Sequence, residues 1–156
     1  MKIVNITIFL ASDHAGFKLK EKIKMHLAKK NVPFQDLGPH SLNKEDDYPE
    51  FIIPVAEKVA KTRNSLGIVL GGSGQGEAIA ANKVKGIRAA VIYNYNPSII
   101  KLSKEHNNAN ILSLGARFLS EKQVFQTIDL WLKTKFSEEK RHIRRLKKIT
   151  SYENKK

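Results

Sequence analysis

The stretch Leu66 to Lys83, LGIVLGGSGQGEAIAANK, constrains this chain more than any other. Leu66 to Leu70 is a short apolar run containing Ile68 and Val69, as a buried strand requires. Gly71 to Gly76 then holds four glycines in six positions, and Glu77 to Lys83 is rich in alanine, the best helix former. Strand, glycine turn and helix in that order bring free backbone N–H groups to a helix start, where negative charge is favoured. A group that is anionic, or becomes so during a reaction, is the expected occupant.

Spacing excludes the common phosphate and dinucleotide motifs. A Walker loop ends in Gly-Lys-Ser/Thr, but Gly76 is followed by Glu77 and Ala78. A dinucleotide fingerprint needs a third glycine three residues after Gly-x-Gly, and the residues at that spacing are Glu77 and Ile79. A carboxylate on the first helical turn would repel a phosphate dianion. It is well placed to take a proton from carbon while the N–H groups receive an enediolate oxygen. An acid there also serves as a helix cap, and spacing alone leaves both roles open for Glu77.

Around this centre the chain alternates between strand and helix. Ile3 to Ala11 is expected as the first strand, followed by Asp13, His14 and a helix with Leu19, Ile23 and Leu27 on one face. Val32 to Leu37 is the second strand, and the polar loop from Gly38 to Asp47 leads to a helix over Pro49 to Lys61, with Val55 and Val59 buried. Tyr48, just before that helix, belongs either to the core or to the lining of a site. After the central strand come a strand at Ile87 to Ile92, a helix from about Pro97 to His106, and a strand at Asn110 to Leu114 that leads to Gly115-Ala116-Arg117. Helices at Ser120 to Lys135, burying Val124, Ile128, Trp131 and Leu132, and at Ser137 to Tyr152 complete the order; Glu153 to Lys156 is expected to be disordered.

Five alternations of strand and helix imply an α/β fold with a Rossmann-like, doubly wound, five-stranded parallel sheet and a C-terminal helix. The expected strand order is 2-1-3-4-5, with a switch point between strands one and three. That order brings Asp13 and His14 beside Gly71 to Glu77 in one crevice at the C-terminal edge.

With 156 residues, one domain over residues 1–152 is expected. No apolar run approaches the ~20 residues of a membrane span, and there is no cysteine for disulfide or thiol chemistry. The apolar N-terminal run lacks a small-residue cleavage site, so a reducing cytoplasm and no membrane partner are expected. The net charge of +13 raises the question of nucleic acid. From Lys133 to Lys156, however, ten Lys or Arg stand against three acids, a run typical of a solvated face, and no recognition module or interleaved aromatics accompany it. No nucleic-acid partner is expected.

DHAGF at Asp13 to Phe17, DYP at Asp47 to Pro49, GIVLGGSGQGEAIAANK at Gly67 to Lys83, EHNNAN at Glu105 to Asn110, GAR at Gly115 to Arg117 and RHIRR at Arg141 to Arg145 carry a further signal. Together these motifs resemble the B-type ribose-5-phosphate isomerases of the RpiB/LacAB sugar-phosphate isomerase family, in order and over nearly the whole chain. The resemblance implies a homodimer, or a tetramer of paired dimers, that interconverts ribose 5-phosphate and ribulose 5-phosphate through an enediolate, with no metal or other cofactor.

Carried over by motif, the resemblance makes Glu77 the base and His106 the acid that opens the sugar ring. Asp13 and His14 would bind sugar, and Gly71, Gly72, Ser73, Gly74, Gln75 and Gly76 would cradle the enediolate, with Tyr48 near by. Asn107 would touch substrate, while Arg117, Arg141 and Arg145 would hold phosphate. Many members use a cysteine at the position of Gly71; this chain resembles the branch with glycine there and glutamate at Glu77. The resemblance further implies active sites shared between two chains, with Glu77 from one and His106 from the other. His106 and Arg117 follow from strands four and five, which the expected order sets apart from Asp13 and His14.

Such chemistry needs one base to shuttle a proton, donors for the enediolate and cations for the phosphate. Arg141 and Arg145, four apart on one helical face, suit the last task because a guanidinium pairs two phosphate oxygens at once. The competing expectations are isomerisation of a six-carbon phosphate, allose 6-phosphate or galactose 6-phosphate, and a non-catalytic nucleotide or nucleic-acid binder.

Overall fold

The computed structural model describes residues 6–155. Strands β1 (Thr7–Ser12), β2 (Phe34–Asp36), β3 (Ser65–Gly71), β4 (Ala89–Ile92) and β5 (Ile111–Gly115) form one sheet in which every pairing is parallel. Helices α1 (Phe17–Lys29), α2 (Pro49–Lys61), α3 (Gln75–Ala81), α4 (Pro97–Glu105) and α5 (Glu121–Lys133) alternate with the strands, and α6 (Lys140–Glu153) follows. The expected first strand began at Ile3; Ile3, Val4 and Asn5 lie outside the described residues.

Alternation along the strands builds a core on each face, because successive side chains point to opposite sides. Ile8 and Leu10 of β1, Ile68 and Leu70 of β3, and Leu112 and Leu114 of β5 pack against Ile23, Leu27, Ile100, Ile128 and Trp131 of α1, α4 and α5. On the other face Phe9, Val69 and Ile111 meet Ile52, Val55 and Val59 of α2 and Ala80 and Ala81 of α3. Helix starts are set by local chemistry: Pro49 and Pro97 occupy first-turn positions, Asn96 accepts from Ser98 N–H at 3.0 Å, and Ser120 with Gln123 forms a capping box.

The strand order is β2-β1-β3-β5-β4, which corrects the expected placement of the last two strands. Neighbouring strands in sequence are usually neighbours in space, and that preference gives 4-5. Burial decides otherwise. Every residue of β5 is buried, as a strand covered on both faces must be, whereas Ala89, Ala90 and Val91 of β4 are half-exposed and suit an edge. The switch point between β1 and β3 lies where expected, with Ser12 paired to Leu70 at its C-terminal end.

The last helix runs through Glu153, into the stretch expected to be disordered. The Glu153 carboxylate accepts from Gly86 N–H at 3.3 Å, and Lys156 lies outside the described residues. Among the described residues no helix is long and apolar enough to cross a membrane.

Candidate active site

The C-terminal ends of β1, β3 and β5 converge on one edge of the sheet. After β1, Asp13 donates its N–H to Leu70 O at 3.1 Å, and its carboxylate accepts from Gly16 N–H at 3.0 Å, closing the turn into α1. After β5, Ala116 N–H donates to Gly71 O at 2.8 Å and Arg117 N–H to Gly72 O at 3.0 Å. The corrected strand order makes this contact possible, since β5 now lies directly against β3. Arg117, expected apart from Asp13 and His14, therefore joins them.

Between β3 and α3 the chain turns through Gly72, Ser73 and Gly74. Gly74 has φ +78°, a left-handed conformation, and a Cβ on it would lie 2.9 Å from the Leu114 carbonyl carbon. Its carbonyl accepts from Ser113 Oγ at 2.6 Å, which ties the turn to β5. Among the described residues, the amides of Gly72, Ser73 and Gly74 donate to no protein acceptor. The half-buried Ser73 accepts from Gln75 N–H at 3.3 Å through its hydroxyl.

Glu77 points back under this turn and is 4% exposed. A Cβ on Gly71 would overlap its carboxyl group, so a side chain at 71 and an inward carboxylate at 77 compete for one space. Burial pushes the Glu77 carboxyl above its ordinary range, against the effect of its own backbone N–H, with the nearby Asp13 charge adding to the rise. Tyr48 is half-buried at the start of α2 and packs on the core beneath; its phenol lies 2.8 to 2.9 Å from where a Cβ on Gly76 would stand. It thus packs on the core and stands against the glycine turn.

His14, on the same edge, bonds through Nδ1 to Asp46 Oδ1 at 2.7 Å. Asp46 was not singled out from sequence, where it is one of several acids in a polar loop.

His106, Asn107, Arg141 and Arg145 form a second group elsewhere. His106 caps the C-terminus of α4, which descends from the β4 end back toward the start of β5. Its turn is held by Lys104 Nζ donating to Ala109 O at 3.0 Å and by Arg88 Nε donating to Asn107 O at 3.1 Å. Burial lowers the Lys104 amine to about 8, and the ammonium sits 4.5 Å over the Trp131 ring. The His106 ring lies 4.1 Å from that of His142, the one residue of α6 that is buried. His142 Nδ1 meets Ser137 Oγ at 2.8 Å, and burial, with His106 beside it, holds its imidazole below the ordinary range. His142 lies inside the RHIRR motif, where the arginines drew attention and the histidine did not. Arg141 is paired with Glu139 at 2.8 Å, and both arginines are exposed.

The two groups occupy opposite ends of the sheet. Strand β5, whose five residues end at Gly115, lies between the His106 turn and that edge and spans about 13 Å at ~3.3 Å per strand residue. Their electrostatic neighbourhoods are separate too: His14 responds to Asp46, Asp13 and Arg117, and His142 to His106, Glu139, Arg141 and Arg145. Among the described residues no hydrogen bond or ring contact joins the groups. Nor do any three His, Cys, Asp or Glu side chains converge as a metal site would require.

A switch-point crevice in a parallel α/β sheet, floored by a buried carboxylate and roofed by free amides, defines a Rossmann-like enzyme. The chain belongs to the Ribose/Galactose Isomerase family, whose model matches residues 8–149. It is 41% identical to ribose-5-phosphate isomerase B of Mycolicibacterium paratuberculosis over 94% of this chain and 91% of that protein. Among solved structures, it resembles ribose-5-phosphate isomerase B from Mycoplasma genitalium with bound ribulose-5-phosphate, with a TM-score of 0.92, 41% identity and coverage of 97% and 99% of the two chains. The Clostridium thermocellum enzyme of the same name aligns with a TM-score of 0.89 at 43% identity, over 96% of this chain and 98% of that one.

Proposed function

We propose that this protein interconverts D-ribose 5-phosphate and D-ribulose 5-phosphate through an enediolate. The observation that carries the reading is the buried Glu77 carboxylate beneath a turn of unpartnered amides, in a chain related along its whole length to ribose-5-phosphate isomerases B. In the open-chain aldose, Glu77 takes the proton from C2, and the electron pair moves through the new C1–C2 double bond onto the carbonyl oxygen. The amides of Gly72 and Gly74, with Ser73, stabilise that oxygen. After a proton passes between the two oxygens, Glu77 returns its proton to C1 and the ketose forms. Asp13, His14, Tyr48, Gln75 and Gly76 line the sugar, and Arg117 meets the phosphate.

The ring-opening acid and the remaining phosphate ligands come from a second copy. In one chain His106, Asn107, Arg141 and Arg145 lie at the far end of the sheet from Glu77, so a two-fold dimer is the arrangement that completes each site. A surface for it borders α3. That helix turns Glu77 inward and Ile79, 62% exposed, outward into a groove of about 650 Å³ that also involves Tyr93 and the open face of the β4 edge. Such an enzyme works among the sugar phosphates of the cytoplasm.

The test is direct assay of the pure protein with ribose 5-phosphate, allose 6-phosphate and galactose 6-phosphate, following ketose formation. Turnover of ribose 5-phosphate well above the others is the expected result. Preference for either six-carbon substrate would move the assignment within the family, and no turnover with salt-sensitive polynucleotide binding would replace it.

A further inference from the structure

We propose that Asp46 is a positioning residue that fixes the orientation of His14 and keeps it protonated, so that an anionic substrate meets an imidazolium beside Arg117. The substrate in this inference rests on the isomerase reading; the hold of Asp46 on His14 does not.

Asp46 sits at the end of the polar loop before α2, yet its side chain is only 4% exposed. A single oxygen, Oδ1, accepts from both the backbone N–H of His14 at 3.1 Å and its ring Nδ1 at 2.7 Å. Two bonds to one atom fix the main chain and the ring together. With Nδ1–H committed to Asp46, Nε2 is the nitrogen left to face the crevice, on a side chain that is 31% exposed.

Charge balance gives the second half of the argument. The other Asp46 oxygen is buried without a partner, and His14 is the one cation with which Asp46 pairs among the described residues. A carboxylate so enclosed is costly unless a positive charge compensates it, and only a protonated imidazole can do so here. The His26–Asp129 pair provides a contrast within the same molecule. Asp129 is 37% exposed and also pairs with Lys30 at 2.7 Å, so its charge does not depend on an imidazole. The groups facing His14 are Asp46, Asp13 and Arg117. The Asp46 hydrogen bond is the largest influence and raises the imidazole, Asp13 adds to it, and burial and Arg117 oppose it, leaving a net rise above 6.5.

Asp46→Asn separates charge from position, because its amide oxygen accepts the same two N–H groups while the negative charge is gone. Nitrogen-detected NMR of the full chain, with His14 signals identified by their loss in His14→Gln, reads the imidazole without turnover. The parent is expected to show Nδ1–H in the neutral form and a titration midpoint above 6.5, and Asp46→Asn a midpoint lower than the parent's. KM for ribose 5-phosphate is expected to rise with pH through each midpoint, so that it climbs at lower pH in Asp46→Asn. Below both midpoints the two KM values should agree within about twofold, with kcat moving less. Titration of the substrate phosphate is common to both enzymes and cancels in the comparison. Asp46→Ala, which also loses the orientation, should raise KM at low pH as well.

A parent midpoint at or below 6.5 would overturn the proposal without any variant, as would equal midpoints in parent and Asp46→Asn. An Asp46→Asn KM raised by the same factor at every pH would reduce Asp46 to a structural residue. If the parent turns over no sugar phosphate but the midpoint still drops in Asp46→Asn, the isomerase reading fails and the Asp46–His14 coupling stands.

Discussion

The edge that carries Glu77 and the turn that carries His106 are built by opposite means. At the first, three strand ends are stitched by backbone bonds, from Asp13 N–H to Leu70 O, Ala116 N–H to Gly71 O and Arg117 N–H to Gly72 O, and both Glu77 and Asp13 are buried. At the second, half-buried His106 ends α4, and the exposed arginines hang on α6, a helix that buries only His142. Backbone ladders can hold a side chain to the fraction of an ångström that proton transfer requires, whereas long cationic side chains in solvent are free to move. On the proposed reading, the rigid half performs the chemistry and the open half of a second copy completes it.

Removal of the base should have the largest effect. Glu77→Gln keeps shape and hydrogen bonding but cannot accept the proton, and kcat should fall by about 10²-fold or more with the fold intact by circular dichroism. Near-normal turnover would return Glu77 to the role of a helix cap. Mixing Glu77→Gln chains with His106→Ala chains by joint refolding then tests whether the two halves come from different subunits. Each homodimer should be nearly inactive, while random pairing should restore about a quarter of parent activity, since half the dimers hold one intact site. No recovery despite demonstrated mixed dimers would require both halves to work within one chain.

Smaller effects are expected in the open half. Arg141→Ala and Arg145→Ala should each raise KM several-fold, with a lesser fall in kcat if the phosphate also orients the sugar. Steady-state kinetics unchanged in both variants would leave these arginines as a solvated face.

The smallest effect concerns the environment of the base. If Glu77 is the base, its ionised carboxylate is the active form, and because burial raises its pKa, kcat should fall with decreasing pH at a value above the ordinary 4.5. Protonation is favoured in the folded state, which makes the same group destabilising above that pH and less so below it. Burial is the main cause and the Asp13 charge a lesser one, so Asp13→Asn should move the acid limb down, and only slightly. An acid limb at or below 4.5 in the parent profile would mean that the base is not the buried group.

Local chemistry made much of this legible beforehand. The run from Leu66 to Lys83 announces strand, turn and helix through composition alone, and Pro49 and Pro97 mark helix starts because their rings suit a first turn. Asp46 was not legible, because its meaning lies in a bond to a histidine 32 residues away. His142 was hidden for a similar reason: burial against His106 depends on how α6 meets the end of α4, which helical spacing does not encode.

The sequence by itself determined the alternation of strands and helices, the parallel sheet, the switch point beside β1 and β3, and the motifs that place the chain in its family. These follow from periodicity, from glycine and proline geometry and from right-handed crossover, all properties of short segments. Only the tertiary structure decided that β5 lies inside and β4 at the edge, because pairing between distant strands is chosen by which one buries both faces. That choice seats Arg117 beside Gly72, while the descent of α4 leaves His106 at the far end of the sheet. Burial of the Glu77 carboxyl under Gly71 likewise arises where the chain folds back on itself, since desolvation belongs to the packed molecule and not to any one segment of it.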